Sequence, residues 1–229
     1  RASVDVADWL TVGNNFNFSN RTYFNPLTVG EGGNIWRNIA DEGHPLVPLL
    51  NPDGTMTHSA AYTVGNHYYD SGGYNFERNV LRNTSEIDAR FYNNKIRAIG
   101  NFSLQRTLNE ESRYRYEIPY SDRPDNIVWL RTEYNDLRVT DDKTNYLASN
   151  FYLQYDDTFS EKHNISTVLG FNYENSERSR VRAFRDGLIY KGADELSLAL
   201  GSNVDTGGGY ERWAIMGGFY RLNYIFDER

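Results

Sequence analysis

Between Thr144 and Glu177 the sequence alternates with a period of two. Leu147, Ser149, Phe151, Leu153 and Tyr155 fall on one side of an extended chain, and Tyr146, Ala148, Asn150, Tyr152, Gln154 and Asp156 on the other. After the polar break Ser160-Glu161-Lys162-His163-Asn164 the pattern resumes. Ile165, Thr167, Leu169, Phe171 and Tyr173 then oppose Ser166, Val168, Gly170, Asn172 and Glu174. A period of two does not suit a helix; it predicts a strand, a short turn and a second strand, each with one apolar face. Something must cover that face, either the core of a soluble sandwich or lipid.

The same pattern recurs along the chain. Leu10, Val12, Phe16 and Phe18 share a face, with Asn14 as an exception. Ile87, Ala89 and Phe91 alternate with Glu86, Asp88 and Arg90. Asn93-Asn94 predicts a tight turn, because asparagine tolerates positive φ. The return strand carries Ile96, Ala98, Gly100, Phe102 and Leu104 against Arg97, Asn101, Ser103 and Gln105. A last strand places Ala214, Met216, Gly218, Tyr220, Leu222, Tyr224 and Phe226 on one face, and Asp227, Glu228 and Arg229 begin another turn. Six strands are thus expected. Between them lie polar excursions at about 21–82, 106–143 and 175–211. The first is expected to hold a type I turn at Asn51-Pro52-Asp53-Gly54 and a short helix ending at Gly43, the second extended pieces around 127–134, and the third a helix within 192–201.

Alternation alone does not choose between core and lipid, since sandwich strands alternate too. Three features favour lipid. Every tight turn lies at one end and every long excursion at the other, as in outer-membrane barrels. Aromatic residues gather beside the short turns: Phe91 and Tyr92, Tyr155 and Phe159, Tyr224 and Phe226. The apolar runs span about ten residues, the length that crosses a bilayer as a tilted strand. The lipid-facing set is then Leu10, Val12, Phe16, Ile87, Phe91, Ile96, Phe102, Leu147, Phe151, Leu153, Leu169, Phe171, Leu222 and Tyr224, and the lumen-facing charges are Glu86, Asp88, Arg90 and Arg97. Six strands are too few to close in lipid, so a piece of a larger barrel is expected.

Composition agrees. Aromatics make up 15% of residues, suiting β-strands rather than a helical bundle. A net charge of -7 gives no support for nucleic acid as a partner. With no cysteine, neither a disulfide framework nor a thiolate metal site can form. No apolar run approaches a membrane helix, and Arg1-Ala2-Ser3-Val4-Asp5 opens no signal peptide.

Several segments together resemble SusC/RagA-type TonB-dependent outer-membrane transporters. They are Asp8–Ser19, Asn51–Gly54, Tyr155–Glu174, Asp194–Ser202 and Gly217–Arg229, in that order. The resemblance implies an antiparallel up-and-down transmembrane barrel of about 22 strands with long extracellular loops, of which residues 1–229 form a part, the plug domain and TonB box lying outside them. It further implies a place in the outer membrane, a SusD-like surface lipoprotein as partner, coupling to the TonB complex through the missing N-terminal part, and import of oligosaccharide or peptide. No cofactor is implied.

Chemical motifs are weak. Asp70-Ser71-Gly72 and Asp205-Thr206-Gly207 echo the paired loops of aspartic proteases, but their flanks are polar and glycine-rich, as in surface turns. His44, His58, His67 and His163 lack metal-ligand spacing, and His163 is expected to bond backbone in its turn. The Gly-rich stretches at 29–33 and 205–209 lack a nucleotide-binding pattern, and Asp141-Asp142 and Asp156-Asp157 are expected to be solvated turn residues. The run Arg178, Arg180, Arg182, Arg185 is expected to continue a strand with its charges facing water. An enzyme is therefore not expected. Substrate contact is expected from loop aromatics, which offer flat apolar area: Trp36, Tyr68, Tyr69, Trp129 and Tyr190. The competing reading, and the more ordinary one for each, is that they pack the loops together. The competing architecture is a soluble, surface-exposed β-sandwich that binds glycan without moving it.

Overall fold

The period-two segments form strands, and the strands outrun them. The computed structural model describes every residue except 28–34, 44, 131–134, 193 and 228–229, and the side chains of 41 and 42. His44, the Gly-rich stretch at 29–33 and the turn residues Glu228 and Arg229 lie outside the described residues.

Seven strands make one antiparallel sheet in the order β1 (Ala2–Ala7), β2 (Leu10–Pro26), β3 (Gly72–Phe91), β4 (Ile96–Arg115), β7 (Asp136–Phe159), β8 (His163–Asp186), β9 (Val204–Phe226). A separate hairpin pairs β5 (Pro119–Arg123) with β6 (Asn126–Trp129). Two helices, α1 (Ile35–Glu42) and α2 (His58–Tyr69), lie in the first excursion. The count of six strands is corrected to seven: Val4 pairs with Val12 in a short first strand whose two-valine pattern is too brief to read alone. The excursions are shorter than expected, because β3, β4, β7, β8 and β9 run 20 to 24 residues, twice the apolar run each contains. The helix expected in 192–201 is only a 3₁₀ turn at Leu196–Leu198.

Two type I′ turns reverse the chain at the short end. Asn93 and Asn94 have φ of 53° and 65°, and Lys95 N–H reaches the Tyr92 carbonyl at 3.2 Å. Ser160 and Glu161 have φ of 51° and 58°, with Lys162 N–H to the Phe159 carbonyl at 3.2 Å. This turn matches the twist of the flanking strands.

The register fixes which side chains share a face. From β2 to β9 it runs Leu10, Ala89, Ala98, Leu153, Leu169, Tyr220 on one rung and Val12, Ile87, Gly100, Phe151, Phe171, Gly218 on the next rung of that face. The opposite face carries a ladder of amides. Asn172 donates to Asn150 at 2.6 Å and Asn150 to Asn101 at 2.9 Å. On the same face Arg97 makes a two-pronged bond to Asp88 at 3.0 and 2.6 Å, and Tyr146 donates to Glu174 at 2.8 Å.

No second sheet covers the apolar face among the described residues. Leu153, Leu169 and Leu222 are 39%, 56% and 55% exposed. Their polar-face neighbours are more enclosed: Asn150, Tyr152, Gln154, Asn101 and Asn172 are half-buried while Phe102, Phe151 and Phe171 are exposed. Side chains crowd on the inside of a curl and spread on its outside, so the sheet curls toward its polar face. A sandwich would need the reverse, with the apolar face against a second layer.

One close approach tests the rung geometry. The Phe219 ring lies across Gly170 toward Tyr152, ring centroids 5.9 Å apart, and a Cβ on Gly170 would sit 2.2 Å from that ring. Gly170→Val is expected to cost about 1–3 kcal/mol by overpacking. Thermal melting of Gly170→Val, Phe219→Ala and the pair should give a double-mutant cycle in which the pair costs clearly less than the sum.

Candidate functional site

The excursions fold into a cap with cores of its own at the long-loop end. Thr57 caps α2, accepting from the Ala60 N–H at 3.3 Å, and Asp70 closes the helix in the left-handed conformation. Met56, Ala60 and Ala61 then pack on Ile118 and Leu130 from the second excursion, with Tyr62, Val64, Tyr69 and Tyr120 around them. A second cluster joins Tyr116 and Leu137 to Leu188 and Ala199 of the third excursion. Polar bonds stitch the same joints. Ser121 N–H reaches the Met56 carbonyl at 2.9 Å, and Asn135 donates to the Leu188 carbonyl at 2.6 Å. The Tyr116 hydroxyl accepts from Gly192 N–H at 2.7 Å and donates to Asp194. Burial, and then that bond to Asp194, pushes the Tyr116 phenol well above its usual range, so it stays a neutral donor. These buried clusters are in the loops and their strand roots, away from the apolar band of the sheet.

The five loop aromatics take different places. Tyr69 packs against the first cluster and is a structural residue of the cap. Tyr68 is exposed beside it, ring centroids 5.0 Å apart. Lys191 donates to the Tyr69 carbonyl, which brings the segment bearing the exposed Tyr190 to the end of α2. Trp36 lies exposed on α1, and Trp129 is exposed on β6 opposite Pro119. The fold thus gathers Tyr68, Tyr69 and Tyr190 and holds the two tryptophans on other elements.

The strand residues divide cleanly. Leu10, Val12, Phe16, Ile87, Phe91, Ile96, Phe102, Leu147, Phe151, Leu153, Leu169, Phe171, Leu222 and Tyr224 all lie on the apolar face. Glu86, Asp88, Arg90 and Arg97 all lie on the other. Above the apolar band both faces turn polar. There the polar face carries Arg178, Arg180 and Arg182 of the basic run, whose fourth member, Arg185, lies on the other face; Arg78, Arg82, Arg113 and Arg138 join them.

The weak motifs do not converge on chemistry. Asp70 ends α2, whereas Asp205 sits on β9 bonded to Arg182 at 2.8 Å. His58 packs edge-on against Tyr120 at 4.9 Å. His163 bonds a side chain, the Tyr224 hydroxyl at 2.7 Å, rather than backbone, because both sit at the strand ends by the short turn. No group of three His or carboxylate residues that could hold a metal occurs among the described residues.

No protein-family model matches the chain, and no curated protein sequence matches it. Solved structures do. The chain is similar to the RagAB peptide importer in its closed-closed state, with a TM-score of 0.72 and 16% identity over 99% of this chain and 25% of the other. The RagAB peptide transporter gives 0.71 and the importer in its open-open state 0.65, at the same identity and coverage. This is a likeness of fold. The chain spans about a quarter of the length of these proteins.

Proposed function

We propose that this chain is a section of the barrel wall of an outer-membrane nutrient importer of the SusC/RagA type, which takes up peptide or oligosaccharide with energy from TonB and a SusD-like lipoprotein at its mouth. The observation that carries the reading is the inversion of the sheet. Its convex side is apolar and its concave side polar, which suits a wall with lipid outside and water within. The fourteen apolar-face residues would then contact acyl chains, and Glu86, Asp88, Arg90 and Arg97 the lumen. Likeness to peptide importers supports transport over catalysis, and the folded loop cap, with Tyr68, Tyr190, Trp36 and Trp129 exposed on it, offers a surface for substrate and lipoprotein.

The slant of the band supports the same reading. Leu10 begins the band on β2, and its rung reaches β9 at Tyr220, six residues before the band ends at Phe226. At the upper edge Phe18 meets Arg212, two residues outside the band's start at Ala214. A mean slide of about four residues over five strand steps equals a tilt of roughly 30°, close to the 35–45° of membrane barrels.

In intact cells, deletion of the full-length protein should abolish uptake of a labelled peptide or oligosaccharide, and a protonophore should do the same to the wild type. The protein should partition with outer membranes and need detergent for extraction. Recovery of the full-length protein as a water-soluble monomer would end the proposal.

A further inference from the structure

We propose that the polar wall above the apolar band binds acidic peptides, through a row of arginines on β8; this rests on the import reading and names its substrate class. Arg178, Arg180 and Arg182 project from alternate positions on the concave face. Across from them on β9, Arg180 faces Gly209 and Arg182 faces Gly207, while Arg178 faces Glu211 at 4.0 Å. The three arginines, Gly207, Gly208, Gly209 and Glu211 line a cleft of about 330 Å³. A Cβ at Gly207 would come 3.4 Å from the Arg182 Nη2, whereas at Gly209 it would meet nothing within 4 Å. The glycine run thus leaves the guanidinium groups open to a ligand.

The row belongs to a wider basic surface. On the same face and at the same height stand Arg21, Arg78, Arg82 and Arg138, opposed among the described residues by Glu111, Asp142, Asp205 and Glu211. Among the described residues, seven arginines against four carboxylates give a local excess of positive charge on a chain whose net charge is -7. Three of those carboxylates are already engaged, Glu211 among them at 4.0 Å from Arg178. Arg178 grips Asp142 at 2.9 and 3.0 Å, and Arg182 holds Asp205 at 2.8 Å. Arg78 and Arg180, on one rung and both exposed, have no carboxylate partner among the described residues. The Nε of Arg182 and that of Arg138 are buried without a hydrogen-bond partner, so the donors that a ligand can reach are those of Arg78 and Arg180. Donors are therefore left over for a ligand that brings acceptors.

Spacing selects the ligand. Residues two apart on a strand are about 6.6–6.8 Å apart, and an extended peptide repeats its side chains at the same interval. A Glu-x-Glu-x-Glu peptide lying along β8 would set its central carboxylate against Arg180, the member of the row without a carboxylate partner among the described residues, and its outer two beside Arg178 and Arg182 in competition with Asp142 and Asp205, each contact a charge-assisted bond.

The test uses the full-length transporter in detergent and calorimetric titration with capped Glu-Ala-Glu-Ala-Glu, its Gln-Ala-Gln-Ala-Gln counterpart and an oligogalacturonate. The Glu peptide should bind roughly tenfold or more tightly than the Gln peptide, and Arg180→Gln should remove about tenfold of that affinity while leaving the Gln peptide unchanged. Arg106→Gln, on the other face of the sheet, should change neither. Equal affinity for the two peptides, or an unaffected Arg180→Gln, overturns the inference; persisting import of neutral peptides would leave the transporter reading standing. Failure to bind either peptide together with absence of import overturns both. Tighter binding of the oligogalacturonate, lost in Arg180→Gln, overturns the peptide assignment and moves the carboxylates to a sugar.

Discussion

Leu169→Arg is expected to cost roughly 2–4 kcal/mol of barrel stability, the penalty for a guanidinium near mid-bilayer. Leu169 lies on the apolar face between Leu153 and Tyr220, near the middle of the band on β8, and is more than half exposed, with no protein layer over it among the described residues. In water such a change would be close to neutral, because an exposed leucine gives up little when a charge replaces it. The size of the effect therefore reports the solvent. Folding yield into lipid vesicles, read by the heat-dependent gel shift of intact barrels, should fall sharply for Leu169→Arg. Ala148→Arg provides the control. Ala148 faces the other way, opposite Glu174, and an arginine there should be tolerated. Equal tolerance at both positions would remove lipid from the account.

The same dependence on solvent explains how far the sequence could be read. Within the band the two faces meet different surroundings, so Leu147, Phe151 and Leu153 alternate against Asn150, Tyr152 and Gln154 and the strand is plain. Above the band both faces are polar, and the alternation vanishes. Arg106–Arg115 belongs to β4 but has no apolar face to mark it and reads as an excursion, whereas Arg178–Asp186 belongs to β8 and only its alternating arginines mark it as a continuing strand. Register carries them: once the lower half of the strand pairs, the backbone ladder continues upward without interruption. The arginine wall was illegible for the same reason. Arg178, Arg180 and Arg182 show their period of two in sequence, but Arg78 and Arg138 join them only through pairing across β3, β4 and β7. The face of every band residue was legible, since one residue of slip would exchange the faces. Among the loop aromatics, Tyr69 differs from Tyr68 only by which side of α2 meets Ile118, and no local signal marks that.

Where strands give way to the cap, one ion pair carries an unusual share of the structure. Arg115 ends β4 and Asp136 begins β7, directly opposite in register, and the Asp136 side chain is 2% exposed. Arg115 Nε donates to it at 3.0 Å and a second bond runs from Nη2. Just above, Tyr116 N–H bonds the Ser71 carbonyl at 2.6 Å and Gly187 N–H the Asn135 carbonyl at 2.6 Å, so all three excursions are rooted within two residues of this pair. Asp136 also faces Asp186 across β8, and Asp186 accepts from Asn203 N–H at 2.9 Å. Asp136→Ala removes the buried carboxylate that Arg115 faces, and breaking such a pair costs about 3–5 kcal/mol. The loss should fall on the cap rather than on the sheet, because the band is held by its own ladder and, in the proposed setting, by lipid. Limited proteolysis should open new sites within 187–203 while the barrel's gel shift persists. Replacing both partners, as Arg115→Met with Asp136→Leu, should recover much of the loss, since an apolar pair of similar volume needs no counter-charge. A cap that resists protease equally in Asp136→Ala and wild type would assign its rigidity to the Tyr116–Leu188 cluster alone, and the double variant would then be no better than the single.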